Sequence, residues 1–148
     1  MIVVIFGQPG SGKTTIAKSL YNEIDLLRSP IHIDGDDLRR FFKDTDYSRK
    51  GRIKNLNRAS DIAAFLNDKG HDPILSLIYP YKEAREYLNS LNTEILWVYL
   101  TYEGERGREK YHVSDFETAH NERILHIDTS KKDIEDTIEI IYRVIKNR

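Results

Sequence analysis

The stretch GQPGSGKT, Gly7 to Thr14, fits the pattern G-x-x-x-x-G-K-[ST] without a mismatch. An apolar run, Ile2 to Phe6, precedes it and a helical pattern follows it. In that context the pattern cradles the phosphates of a nucleotide. Gly7, Gly10 and Gly12 let backbone N–H groups turn inward around phosphate oxygens. The helix N-terminus adds free amides and its dipole. Gln8, Pro9, Ser11 and Thr15 complete the expected nucleotide-binding stretch. Lys13 is expected to reach the β- and γ-phosphates of ATP, and the Thr14 hydroxyl to ligate Mg²⁺. There is no N-K-x-D base reader of the GTPase kind.

A second chemical cluster is HIDGDDLRR, residues 32–40. An acid at the end of a core strand often helps to hold Mg²⁺ in enzymes with this loop. The apolar run PILSLI (73–78) ends in Tyr79-Pro80, with no acid, whereas IHI (31–33) ends in Asp34. In a parallel sheet the carboxyl ends of the strands share one edge with the phosphate loop. Asp34 is therefore expected beside the γ-phosphate. Asp36, two residues on, could accept the proton of an attacking hydroxyl. The sequence leaves open which of the two is base and which is metal ligand. Asp37 could simply begin a helix over Leu38–Phe42, and a solvated acidic turn is the plain alternative for the cluster. Arg52, Asn55 and Arg58 recur at three-residue steps on one helical face. Such a face suits an anionic, hydrogen-bonding acceptor, or is an ordinary basic solvated surface.

Five apolar runs must position these groups: Ile2–Phe6, 31–33, 73–78, 94–100 and 123–128. Pro73 can only open its strand. Helical patterns alternate with them: Thr14–Tyr21, Ile53–Leu66 with Gly70 as a stop, Glu83–Leu91, and a stripe of Ile134, Ile138, Ile141 and Ile145. Ser130 with Asp133 predicts the N-cap of the last helix. Strands alternating with helices predict an α/β fold, a doubly wound, mostly parallel five-stranded sheet in one domain spanning 1–148. The polar, glycine-containing region 101–122 reads as a mobile excursion from it.

The remaining composition excludes more than it identifies. The 148 residues carry a formal net charge of −1, so no global field points to nucleic acid or a membrane. There is no cysteine, hence no disulfide framework and no thiolate site, in keeping with a reducing cytoplasm. The histidines, His32, His71, His112, His120 and His126, lack zinc-like spacing. The apolar start is too short for a signal peptide, and no stretch has the length of a membrane span.

Taken along most of its length, the chain resembles the adenylylsulfate (APS) kinase family. GSGKTTIAKSL resembles that family's phosphate loop, IDGDDLR its D-G-D-x-x-R motif, and YSRKGRIKNLNR its F-S-x-x-D-R-x-x-N-x-x-R stretch. The last match carries over Tyr47, Ser48, Arg52, Asn55 and Arg58. LIYPYKEAR resembles the segment I-S-P-x-x-x-x-R, carrying Ile78, Pro80 and Arg85. DFE (115–117) is similar to its P-Y-E element and HIDTS to its final strand. The resemblance implies transfer of the ATP γ-phosphate to the ribose 3′-hydroxyl of adenylyl sulfate. Arg39, Arg52 and Asn55 would grip the acceptor, with Arg58 and Tyr79 beside it. Asp34 and Asp36 would serve metal and hydroxyl. Arg106, Arg108 and Lys110 would belong to a lid over the nucleotides. Members of the family often form dimers.

The chain also departs from that pattern. Gly51 stands where the family has an acid, and Tyr79 where it has a serine. The lid region lacks the K-G-L-Y run and the F-T-G aromatic that stacks on the acceptor's adenine. The acceptor base is therefore open, and another nucleotide conjugate, such as a cytidine diphosphoramidate, is a candidate. Two other classes fit parts of the pattern. GQPGSGKTT followed by DGDDLRR is similar to polynucleotide 5′-kinases, which need a basic groove. A nucleotide-dependent interaction module would need the metal ligand but no base beside it.

Overall fold

A computed structural model of the chain describes residues 1–91, 93–121 and 123–148. Five strands form one sheet: β1 (Ile2–Phe6), β2 (Ile31–Asp34), β3 (Pro73–Ser76), β4 (Ile95–Thr101) and β5 (Ile124–Asp128). Their order is β2-β3-β1-β4-β5, and every pairing is parallel. Five α-helices intervene: α1 (Lys13–Glu23), α2 (Gly35–Phe42), α3 (Arg49–Asp68), α4 (Lys82–Ser90) and α5 (Ile134–Lys146). The expected α/β class and doubly wound parallel sheet are what the chain forms.

The run Ile2–Phe6 is apolar throughout because both faces of β1 are covered. Ile2, Val4 and Phe6 face a core shared with Leu56, Ala59 and Ala63 of α3 and with Ala84 and Leu88 of α4. Val3 and Ile5 face the opposite core, built with Ile16, Ala17 and Leu20 of α1 and Ile138, Ile141 and Ile145 of α5. Of the isoleucine stripe of the last helix, Ile138, Ile141 and Ile145 are core, whereas Ile134, at its first position, is exposed. Among the described residues no helix is long and apolar enough to cross a membrane.

Local caps explain where several helices begin. The side chains of Asp34, Ser48 and Asp133 accept from Asp36 N, Gly51 N and Asp136 N at the starts of α2, α3 and α5. The cap of α5 is Asp133, not Ser130 as the S-x-x-D spacing predicts. Asp128, at the end of β5, draws the Ser130 amide and hydroxyl into its own turn instead.

The strand expected over 73–78 ends at Ser76, and its continuation gives the clearest correction. Tyr79 adopts φ 43°, a left-handed conformation that a non-glycine residue enters only when its surroundings hold it there. Its side chain turns inward, is 0% exposed, meets Trp97 edge-on and shares a 2.8 Å hydrogen bond with Ser60 Oγ. The Arg85 guanidinium donates to the Tyr79 carbonyl at 2.8 Å. The Tyr79 side chain is thus packed in the core rather than presented at the surface where an acceptor was expected to meet it. Tyr79→Phe is expected to cost about 1 kcal/mol of stability, the usual worth of one buried hydrogen bond. Chemical denaturation would read that loss, with nucleotide binding unchanged.

Candidate active site

Four elements converge at the carboxyl edge of the sheet: the loop Gly7–Gly12, the start of α1, the end of β2 and the segment after β4. No side chain caps α1, and its N-cap residue, Gly12, sits at φ 100°. The first-turn amides of Lys13, Thr14 and Thr15 are therefore open donors at a helix N-terminus. Lys13 Nζ folds back to donate to the Gln8 carbonyl at 3.0 Å. Burial pushes its ammonium down to about 8, opposed by the charge of Asp34, assisted by Arg108 and opposed again by Asp36.

Thr14 and Asp34, distant in sequence, meet here. The Thr14 hydroxyl donates to Asp34 Oδ1 at 3.1 Å. Asp34 Oδ2 accepts from Asp36 N at 3.2 Å. A hydroxyl and a carboxylate side by side are hard oxygen donors of the kind Mg²⁺ takes. The Asp36 carboxylate has no partner among the described residues, although its charge reaches Lys13. Asp37 is different, since Arg40 pairs with it on the solvent face of α2.

The segment after β4 lies against the phosphate loop. Gln8 Nε2 donates to the Val113 carbonyl and Val113 N to Gln8 Oε1, both at 2.9 Å. Pro9 has no N–H to offer a phosphate, and its carbonyl lies 3.1 Å from His112 Nε2. Arg106 donates to the Gly10 carbonyl at 2.9 Å and stacks 3.5 Å from the Tyr102 ring. A Cβ on Gly10 would sit 3.2 Å from Arg108 Cβ, so glycine permits this approach. Lys110 lies in an exposed 3₁₀ turn, Glu109–Tyr111, against the Tyr111 ring. Position 122, the far end of the expected lid region, falls outside the described residues. A cavity of about 540 Å³ opens beside Gly12, lined by Thr15, Arg106, Thr129, Lys132, Asp133 and Thr137.

The basic face of α3 is organised less simply than its spacing suggests. Asp44 lies between two of the expected acceptor arginines, 3.3 Å from Arg39 Nη1 and 3.6 Å from Arg58 Nη1. Arg39 also donates to the Asp46 carbonyl at 3.0 Å and covers the Tyr47 ring, while Arg58 covers Phe42. Arg52 spends only Nε, on the Tyr47 carbonyl. Asn55 is 4% exposed and its Oδ1 has no partner. Arg52 and Asn55 therefore keep hydrogen-bonding capacity, whereas Arg39 is largely committed; Arg58 is ion-paired with Asp44, but its buried Nη1 makes no hydrogen bond. Gly51, where an acid was expected from the family pattern, is filled from outside: a Cβ there would lie 2.3 Å from Asp46 Cγ. Arg49 links α3 to the segment after β4, pairing with Asp115 and Glu117 over the Tyr81 ring.

The spacing arguments did not single out Asp44, Arg49, Ser76 or His32. Only His32 left a readable trace, since residues two apart on a strand share a face and it stands two before Asp34.

The chain is similar to several known proteins. A Campylobacter jejuni cytidine diphosphoramidate kinase is 38% identical over 87 residues, 58% of this chain and 51% of that protein. Adenylyl-sulfate kinase 3 of Arabidopsis thaliana is also 38% identical over 87 residues, 57% of this chain and 42% of that protein. The matches thus span about half the length of these relatives or less. A Mycobacterium tuberculosis APS kinase, solved with AMPPNP and APS, shares the fold at TM-score 0.80 and 21% identity, covering 98% of this chain and 96% of that one. The family model described as adenylylsulphate kinase matches residues 1–135, and the chain belongs to that family.

Proposed function

We propose that the protein transfers the γ-phosphate of ATP to a hydroxyl of a small, anionic, nucleotide-type acceptor. The observation that carries this reading is the Thr14–Asp34 contact at 3.1 Å with the free Asp36 carboxylate beside it. A nucleotide switch needs the first feature and has no use for the second. ATP phosphates would lie in the open amides of Gly10 to Thr15, with Lys13 against the β- and γ-phosphates. The nucleoside would occupy the cavity beside Gly12, whose volume is typical of small-ligand sites. Thr14 and Asp34 would hold Mg²⁺, which when bound offsets charge on the phosphates. Asp36 would take the acceptor's proton, and Arg108 would face the transferring group. Arg52 and Asn55 would hold the acceptor. Residues 102–121 would act as the lid that excludes water.

Family membership favours adenylyl sulfate as acceptor. The cytidine diphosphoramidate kinase relative favours a cytidine conjugate, as does the lack of the family's F-T-G aromatic in the lid region. Incubation with γ-labelled ATP and a panel of APS, cytidine diphosphate conjugates, sugars and oligonucleotides decides between them. Label on one nucleotide conjugate supports the reading. Salt-sensitive labelling of oligonucleotides would move it to polynucleotide kinases, and tight ATP binding with no labelled product to a non-catalytic module.

The two Gln8–Val113 hydrogen bonds tie phosphate loop to lid. At about 0.5–1.5 kcal/mol each, their loss in Gln8→Ala is expected to raise KM for ATP about tenfold. Steady-state kinetics at varied ATP would show it.

A further inference from the structure

The geometry points to His32 and Ser76 as positioning residues that aim the Asp34 carboxylate at the metal site, an inference that rests on the Mg²⁺ role proposed for Thr14 and Asp34. Strands β2 and β3 run parallel with Asp34 opposite Ser76 and His32 opposite Ile74. That register puts His32, Asp34 and Ser76 on one face of the sheet. Ser76 Oγ donates to Asp34 Oδ1 at 2.8 Å, and His32 Nε2 lies 2.7 Å from Ser76 Oγ. The direction of the chain is fixed by proton count. An ionised carboxylate only accepts, and a serine hydroxyl has one proton. Ser76 gives that proton to Asp34, so His32 Nε2–H must donate to Ser76.

Asp34 is thereby held at both oxygens. Oδ1 takes the hydroxyls of Ser76 and Thr14, and Oδ2 takes Asp36 N. Ser76 is 3% exposed, so water cannot replace its bond without a rearrangement. Without the imidazole, the serine hydroxyl loses the donor that orients its oxygen. Without the serine, Asp34 keeps Thr14 on one oxygen and its own helix cap on the other, and is free to turn toward α2. Groups that orient a metal ligand in this way typically affect metal affinity by about 10–100-fold.

The test is calorimetric ATP binding, with and without Mg²⁺ and with no acceptor present. The proteins compared are wild type, Ser76→Ala, His32→Phe, His32→Gln and Asp34→Asn. The Mg²⁺-dependent gain in ATP affinity is expected to fall about 10–100-fold in Ser76→Ala and about tenfold in His32→Phe. His32→Gln, whose amide can still donate to Ser76, is expected to recover most of it. Metal-free ATP affinity should stay within about twofold in the Ser76 and His32 variants, which a general packing defect would not allow. If Asp34→Asn loses the gain while Ser76→Ala and His32→Phe keep it, the positioning role is wrong and the metal site stands. If Asp34→Asn itself keeps the gain, both fail. Should Ser76→Ala not fold, the two His32 variants decide, because that side chain sits at the half-exposed margin of the sheet.

Discussion

Asp36→Asn is expected to lower kcat on the true acceptor by about 10²–10⁴-fold while leaving KM for ATP within about twofold. The substitution keeps size and hydrogen-bonding shape and removes only the ability to take a proton. Asp36 is held for that task by its main chain, whose N–H is fixed on Asp34 Oδ2 in the first turn of α2. Its side chain is exposed and without a protein partner among the described residues, so an acceptor hydroxyl can reach it. Asp34 cannot share the role on equal terms, since both of its oxygens already accept bonds from the chain. Asp37 offers the internal control. It is paired with Arg40 on the outer surface, and Asp37→Asn should leave kcat within about twofold. Rapid-quench measurement of labelled product separates the chemical step from release. An Asp36→Asn protein that keeps a near-normal chemical step would assign the base elsewhere.

How much of this site was legible in the sequence follows from how local each feature is. The phosphate loop was readable because strand, glycines and helix are contiguous. The meeting of Thr14 and Asp34 was readable too, because parallel strands deliver their carboxyl ends to one edge whatever lies between them. The acceptor side was not. Helical spacing places Arg52, Asn55 and Arg58 on one face, but it cannot say that Asp44 holds Arg39 and Arg58. That depends on the path of the chain from Lys43, which leaves α2 at φ 52°, back toward Ser48. The same turn brings Asp46 into the space beside Gly51. A loss of the family's acid in the pattern is, in the folded chain, another acid occupying its place. The inward turn of Tyr79 was not legible for a related reason. Its direction depends on one left-handed residue, and nothing in LIYPYK announces that conformation.

Lys13→Met is expected to cost about 10²–10³-fold in kcat/KM for ATP, the usual worth of one charge aimed at a developing charge. The environment of Lys13 also makes a sharper expectation about pH. Burial holds its ammonium at about 8, with Asp34 and Asp36 raising it and Arg108 lowering it. Below that pH the free protein presents a cation to the phosphates, and above it a neutral amine. Because kcat/KM reports the free enzyme, its logarithm should fall above pH about 8. Lys13→Met should lack that limb, since no proton is left there to lose. The sign of a second change follows from the same charges. Arg108→Ala removes a positive neighbour that disfavours the ammonium, so the alkaline limb should move to higher pH even as the rate falls. A limb that stays in place in both proteins belongs to another group, and Lys13 would then be charged throughout the accessible range. That outcome would require the closed lid to leave Lys13 better solvated than its burial and its 3.0 Å bond to the Gln8 carbonyl imply.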